Sequence, residues 1–335
     1  MDNNNTENKM PTLEVDQSSD IDKLINDDIE TLDSEGIVEE DGRSGFVKLP
    51  HGLALTVAET YPITASEVSK TIILIGPFDS GKTTIETTIY QLFQRKPFAG
   101  LFFAGSQSLF SYEERAFYTR LESKKEIATT PRTSRSASEI FLHLKLYDNT
   151  IKTKTNFLFG DISGEEIYSH LGNVETISEK MPYLKSVDSY VFILDGKQLA
   201  DKNKRNGAID QAYTMARTIF DAKLYSSSTR VQVVISKYDI LKTNDDANLE
   251  TTIDKRLQCI VDLLKKYVDE VTVHRVAAMP EPGDLEVGYG LEELLSTWNR
   301  PHTDKQVVDS YMIDSQLDSE FNKLIYKLQG GLSYV

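Results

Sequence analysis

Three short stretches of this chain combine residue types and spacings that suit chemistry on a phosphorylated ligand. The first is GPFDSGKT, Gly76–Thr83, which fits the pattern G-x-x-x-x-G-K-[ST]. A loop of that spacing can wrap with successive N–H groups pointing inward. Gly81 lets the backbone approach closely, and the helix that follows offers its positive N-terminus to phosphate. The candidate nucleotide-binding residues here are Gly76, Asp79, Ser80, Gly81, Lys82, Thr83 and Thr84. Lys82 would reach the β- and γ-phosphates and offset charge on a transferring phosphoryl group, and Thr83 would ligate Mg²⁺. The plain alternative is a glycine-rich turn between a strand and a helix.

The second stretch is NFLFGDISGEE, Asn156–Glu166, an apolar run that delivers Asp161 at its end and then Gly164. A carboxylate there can hold Mg²⁺, usually through a water. Gly164 lets a backbone N–H approach the γ-phosphate, so the chain behind it would feel the nucleotide state. The alternative is an aspartate capping a turn. The third stretch is SKYD, Ser236–Asp239, closing the alternating run VQVVISKYDI. Alone it is either an exposed Lys–Asp turn or a device for choosing a nucleobase, and its place in the order of elements decides which.

The elements around these stretches follow from apolar periodicity. Thr71–Ile75, TIILI, reads as a short buried strand leading into the glycine-rich loop. TTIETTIYQLFQR leaves that loop as a helix, with Ile85, Ile89, Leu92 and Phe93 on one face. FVKLP and LALTVAETYPI, before the first strand, read as one or two accessory strands. Residues 96–138 read as mixed, with a helix around SYEERAFYTRLES. EIFLHLKLY and NFLFG form a hairpin, and SYVFILD is another buried strand. The helix QAYTMARTIFDAK, the strand VQVVIS, the helix IDKRLQCIVDLLKKYV, the strand VTVHRVAA and the helix GLEELLSTW follow. Strands alternating with helices, plus one hairpin, indicate a three-layer α/β domain with a mostly parallel sheet and an insertion between the loop's helix and the next strand.

Composition narrows the partners. The 335 residues carry a net charge of −15, which argues against a nucleic-acid binder. A single cysteine, Cys259, excludes a disulfide framework, and the five histidines show no metal-ligand spacing. No stretch approaches the roughly 18 apolar residues needed to span a bilayer, and the expected setting is a reducing cytoplasm. Residues 1–45 hold fourteen acidic against three basic residues and read as a disordered acidic tail. Leu24–Ile25 and Ile29–Leu32 alternatively suit a short helix formed on a partner. The α/β domain is expected over 46–300 and a partly helical C-terminal extension over 301–335.

With a cradle, a D-x-x-G and SKYD in this order, the chain resembles the Ras-like and wider translation-factor-related GTPases. That resemblance makes Lys237 and Asp239 the guanine readers, the lysine stem on the purine face and the carboxylate on N1–H and the 2-amino group. Ser236 replaces the family's usual asparagine, which weakens the hold on the loop. Ala277 and Ala278 fall where such proteins bring a backbone N–H to the guanine carbonyl oxygen. Glu165 stands where a glutamine commonly orients the attacking water; it is a catalytic candidate or a solvated switch residue. Thr133, with Thr130 the alternative, would be the Mg²⁺-ligating threonine of the first switch. Phe78 is bulky where a small residue is usual and would obstruct an arginine from a partner, which makes Arg132 a candidate catalytic arginine in cis. The phrases LFFAGSQSLFSYEERA, PRTS, FLHLKL and FGDISGEE extend the resemblance, over about residues 68–300, to the bacterial double-GTPase 2 family of the TRAFAC class. The family is linked to phage-defence or biological-conflict systems, and it implies protein partners, an effector or a second GTPase. The expected function is a Mg²⁺-dependent switch that binds GTP and hydrolyses it to GDP. The alternatives are a GTP-bound scaffold that hardly hydrolyses and, further off, a P-loop ATPase.

Overall fold

A computed structural model describes residues 50–117, 141–163, 167 and 174–301; Asp161, Ser163 and residues 174–176 are described by their backbone alone. The expectations for 1–45, for FVKLP up to residue 49, for the end of SYEERAFYTRLES beyond residue 117 and for residues beyond Pro301 fall outside this range. The described strands are β1 (Ser69–Gly76), β2 (Leu101–Gly105), β3 (Phe141–Asp148), β4 (Thr153–Ser163), β5 (Ser189–Asp195), β6 (Arg230–Ser236) and β7 (Val271–Arg275). They form one sheet in the order β2-β3-β4-β1-β5-β6-β7. The pairings β4-β1, β1-β5, β5-β6 and β6-β7 are parallel, while β2-β3 and β3-β4 are antiparallel. The expected mostly parallel sheet with its hairpin is therefore observed.

Alternation along each strand sorts the core into two layers. Ile73, Ile75, Tyr190, Phe192, Val231 and Val233 face one side, packed by α6 (Arg205–Asp221) and α8 (Leu249–Leu264). Ile72, Leu74, Val191, Ile193 and Val234 face the other, packed by α2 (Lys82–Arg95) and α9 (Leu291–Asn299). Strands covered on both faces have no wet side, which is why β1 and β5 read as near-continuous apolar runs and why even Gln232 of β6 is buried. Arg230 ties the end of the described chain to the sheet: its guanidinium donates to the carbonyls of Arg300 and Pro301 and pairs with Glu270 at 3.1 Å. Among the described residues no helix is long and apolar enough to cross a membrane.

One local expectation needs correction. LALTVAETYPI does not form accessory strands. Only Leu55 makes a bridge, to Phe141, and Val57–Ser66 is a helix, α1. Thr56 and Glu59 cap it reciprocally, each side chain bonding the other's backbone N–H, and Ile63 packs it into the core although Pro62 lies inside the helix. Within the mixed region, LFFAG forms the edge strand β2, which pairs with β3.

The insertion then runs back over the sheet as α3 (Leu109–Phe117) against α2. Tyr112 stacks on Tyr90 with ring centroids 4.7 Å apart. Tyr90 Oη donates to Glu113 at 2.6 Å, and Arg115 pairs at 3.5 Å with Glu86, a carboxylate only 1% exposed. The helix that leaves the glycine-rich loop is thus held by the insertion as well as by the sheet. The remaining described helices are α4 (Val174–Lys180), α5 (Gly196–Ala200) and α7 (Tyr238–Lys242), with a 3₁₀ turn at Pro182–Ser186.

Candidate nucleotide-binding site

The functional stretches come together at the carboxyl ends of β1, β5 and β6, where ligands of open α/β sheets bind. β1 ends at Gly76 and the loop to α2 turns through two left-handed residues, Asp79 (φ 61°) and Gly81 (φ 88°). Glycine is suited to the second position because L side chains disfavour that backbone. Gly81 is also the N-cap of α2 and supplies no side-chain cap, so the first-turn N–H groups are not covered by one. The Lys82 ammonium curls back over the loop, donating to the carbonyls of Gly76 at 3.0 Å and Pro77 at 3.1 Å. The backbone thus has the shape and polarity of an anion cradle. Ser80 differs from its neighbours. It is fully buried and does not line the cleft. Thr83 is buried in the first turn of α2, whereas Thr84 faces the cleft. Phe78 is 60% exposed beside the loop.

The β6 end supplies the second wall. Ser236 is buried, and its hydroxyl donates to Leu194 O at 3.2 Å. A Cβ placed on Gly81 would lie 3.6 Å from that of Ser236, so the two loops touch here. Lys237 takes a left-handed conformation, φ 49° and ψ 42°, as N-cap of α7. Its ammonium donates to the Asp79 carbonyl at 2.6 Å and lies 3.1 Å and 3.4 Å from the carboxylates of Asp79 and Asp195. Asp239, half-buried, accepts at 3.4 Å from the N–H of Glu281.

The third wall is the segment after β7. Ala277 and Ala278 are buried, and they do different things. The Ala277 N–H donates to Tyr289 O at 3.0 Å, which closes the long loop, so its amide is engaged within the fold. Ala278 lines the cleft. Behind this wall Tyr238 stacks on Tyr289, with centroids 5.9 Å apart and planes 16° apart, and its hydroxyl donates to Glu250 at 2.6 Å. Burial first, and then the Glu250 bond, push the Tyr238 phenol up to about 12, so it remains a neutral donor.

The result is a cleft of about 270 Å³ lined by Asp79, Gly81, Thr84, Lys237, Asp239 and Ala278 among others. Its lining includes three stretches that lie far apart in sequence. Asp161 lies on β4 opposite Leu74, and Ser163 is opposite Gly76, so the backbone brings the end of β4 alongside the strand that leads into the cradle. Gly164, Glu165, Thr130, Arg132 and Thr133 lie outside the described residues. Among the described residues no cluster of three metal-ligating side chains occurs. A threonine hydroxyl and one carboxylate are hard oxygen donors of the kind Mg²⁺ takes when phosphate oxygens and water complete its shell.

Sequence reasoning missed three cleft neighbours. Asp195 and Gly196 sit where β5 ends, beneath the Ser236–Lys237 turn, and Glu281 covers Asp239. For the first two a signal was present: SYVFILDG, like NFLFGD, delivers a carboxylate at the end of a buried strand.

Comparison with known proteins agrees with this geometry in kind. No protein with a curated description matches the chain. Among solved structures it is similar to a signal recognition particle receptor SRb–GTP/SRX complex from Chaetomium thermophilum. The identity is 16%, covering 64% of this chain and 93% of that one, with a TM-score of 0.35, too loose a likeness to carry an argument. The sequence profile of the Double-GTPase 2 family matches residues 70–299, which run from β1 to the end of α9 and include every described wall of the cleft. The chain belongs to the Double-GTPase 2 family and is a GTP-binding protein.

Proposed function

We propose that this protein is a Mg²⁺-dependent switch that hydrolyses GTP to GDP and passes its nucleotide state to a protein partner. The observation that carries the reading is the meeting of cradle and base loop, with Lys237 Nζ 2.6 Å from the Asp79 carbonyl and Asp239 lining the same cleft. In this reading the first-turn N–H groups of α2 and the Lys82 ammonium bind the phosphates. Lys82 is already oriented by two loop carbonyls, so little rearrangement separates that position from a phosphate oxygen. Thr83 and Asp161, with Thr133 from the first switch, would hold Mg²⁺, which supplies charge neutralisation at the phosphates. Gly164 would report the γ-phosphate, and Glu165 and Arg132 are the candidates for orienting water and steadying charge. Lys237 and Asp239 would read guanine, and Ala278 would close the base edge.

Phe78 favours a second reading, a GTP-bound scaffold with slow turnover. A phenyl ring 60% exposed in the cradle loop would obstruct an arginine brought by a partner. Single-turnover phosphate release, with and without Mg²⁺, decides between the two. Rapid metal-dependent release supports the switch, retained GTP supports the scaffold, and preference for ATP in competition would end the guanine assignment. A cytoplasmic place in a bacterial conflict or phage-defence system, with an effector or second GTPase as partner, is supported only by what the family resemblance implies.

A further inference from the structure

The ammonium of Lys237 meets two carboxylates in unlike surroundings. The Asp79 side chain is 73% exposed and that of Asp195 is 5% exposed, so solvent screens the first far more than the second. The other oxygen of Asp195 accepts from the N–H of Lys197 at 3.0 Å, capping α5 and fixing the direction of the carboxylate. Asp195 also lies beside Ser236 in the β5–β6 register, directly under the turn that presents Lys237. That turn needs support. Lys237 and Asp79 are both non-glycine residues in left-handed conformations, which persist only where their surroundings hold them. Ser236 cannot give that support across the cleft, because its hydroxyl is bonded to Leu194 O within its own strand pair. A charge-assisted contact to the lysine can.

We infer that Asp195 is a positioning residue for nucleotide binding: it holds the Lys237 ammonium so that the lysine stem lies along the purine face while its tip is tied to the phosphate loop. The inference rests on the reading of the cleft as a guanine-nucleotide site and adds a residue outside its three motifs. Asp195→Asn tests it, because asparagine keeps an oxygen for the α5 cap and removes the charge. Fluorescent mant-GTP is titrated into the full chain, Asp195→Asn, Lys237→Gln and the double variant, all with Mg²⁺. Asp195→Asn is expected to weaken binding about tenfold in the parent. Added to Lys237→Gln it is expected to cause no further loss, since its effect passes through the lysine. The same fold-loss in both backgrounds would overturn the inference, as would parental affinity in Asp195→Asn. Thermal midpoints without nucleotide are measured alongside. If Asp195→Asn lowers its midpoint by several degrees, Asp195→Ser, which also keeps a cap oxygen, is carried through the same cycle. A parent that binds no mant-GTP would overturn this inference and the cleft reading together, and that result is seen before any variant is compared.

Discussion

The carboxylate of Asp239 accepts a hydrogen bond from the main-chain N–H of Glu281, 3.4 Å away at the rim of the cleft. In the proposed reading this carboxylate would accept from the donors guanine presents at N1 and its 2-amino group. Asp239→Asn replaces an acceptor-only group with one that also donates. GTP affinity is expected to fall by about a hundredfold, and xanthosine triphosphate, with an oxygen in place of the 2-amino group, to gain. Competition titrations read both changes, and unchanged GTP affinity would remove Asp239 from base recognition.

Gly196 permits the close packing of the β5 end under the base loop. A Cβ there would lie 2.3 Å from the carbonyl oxygen of Ser236 and 2.7 Å from that of Lys237. Gly196→Ala is expected to cost about 1–3 kcal/mol of stability and to weaken GTP binding, because the backbone that must move carries Lys237, proposed above as a base reader. Gly207→Ala in α6 is the contrast. Its Cβ would meet nothing within 4 Å, so it is expected to stabilise by about 0.5–1 kcal/mol with GTP binding unchanged. Urea midpoints and GTP dissociation constants separate the two substitutions.

The insertion contributes stability through an ion pair against α2. Arg115→Met leaves the Glu86 carboxylate, 1% exposed, without its guanidinium. Breaking such a pair is expected to destabilise by about 2–4 kcal/mol, and adding Glu86→Gln should restore part of that. Denaturant unfolding of the single and double variants checks it; equal midpoints for parent and Arg115→Met would show the pair to be idle.

Stability should also depend on pH through His143. Its Nδ1 accepts from the N–H of Gln107 at 2.9 Å, so the proton sits on Nε2, which donates to Asn156 Oδ1 at 2.9 Å. Burial holds its pKa below the usual 6.5, helped by Lys145 and opposed by the Asn156 bond and Glu67. The unfolded chain therefore takes up the proton first as pH falls. Stability is complete above 6.5 and declines as pH drops from there toward the folded value. His274, also held low by burial, acts in the same direction. Midpoints at about pH 7.5 and about pH 5.5 should differ less in His143→Asn than in the parent. Identical differences would show that His143 does not titrate on unfolding.

The parts of this molecule that could be read from sequence are those where one local pattern carries the structural cause. TIILI and SYVFILD are buried on both faces, so continuous apolarity and strand state coincide, while VQVVIS shows itself by alternation. GPFDSGKT and SKYD carry their geometry in their own spacing. LALTVAETYPI was misread because its apolar residues and Pro62 suggest an edge strand, although Thr56 and Glu59, three apart, form a capping box in the same stretch. LFFAG escaped because an edge strand of five residues is set by its partner β3, not by its own pattern. Asp195 and Gly196 gain their meaning only when β5 lies beside β6, a relation no local pattern contains.

The position of β1 has a consequence for how the chain reaches its native state. The strand that leads into the cradle lies between β4 and β5, and Thr71 donates to Asp188, 117 residues later. Contacts that distant close large loops and form late. During synthesis TIILI is a bare apolar segment waiting for partners not yet made, a site for chaperone capture or mispairing. Nucleotide that binds only the finished cradle then draws the equilibrium toward the folded chain by mass action, so cellular guanine-nucleotide supply would set how much protein accumulates.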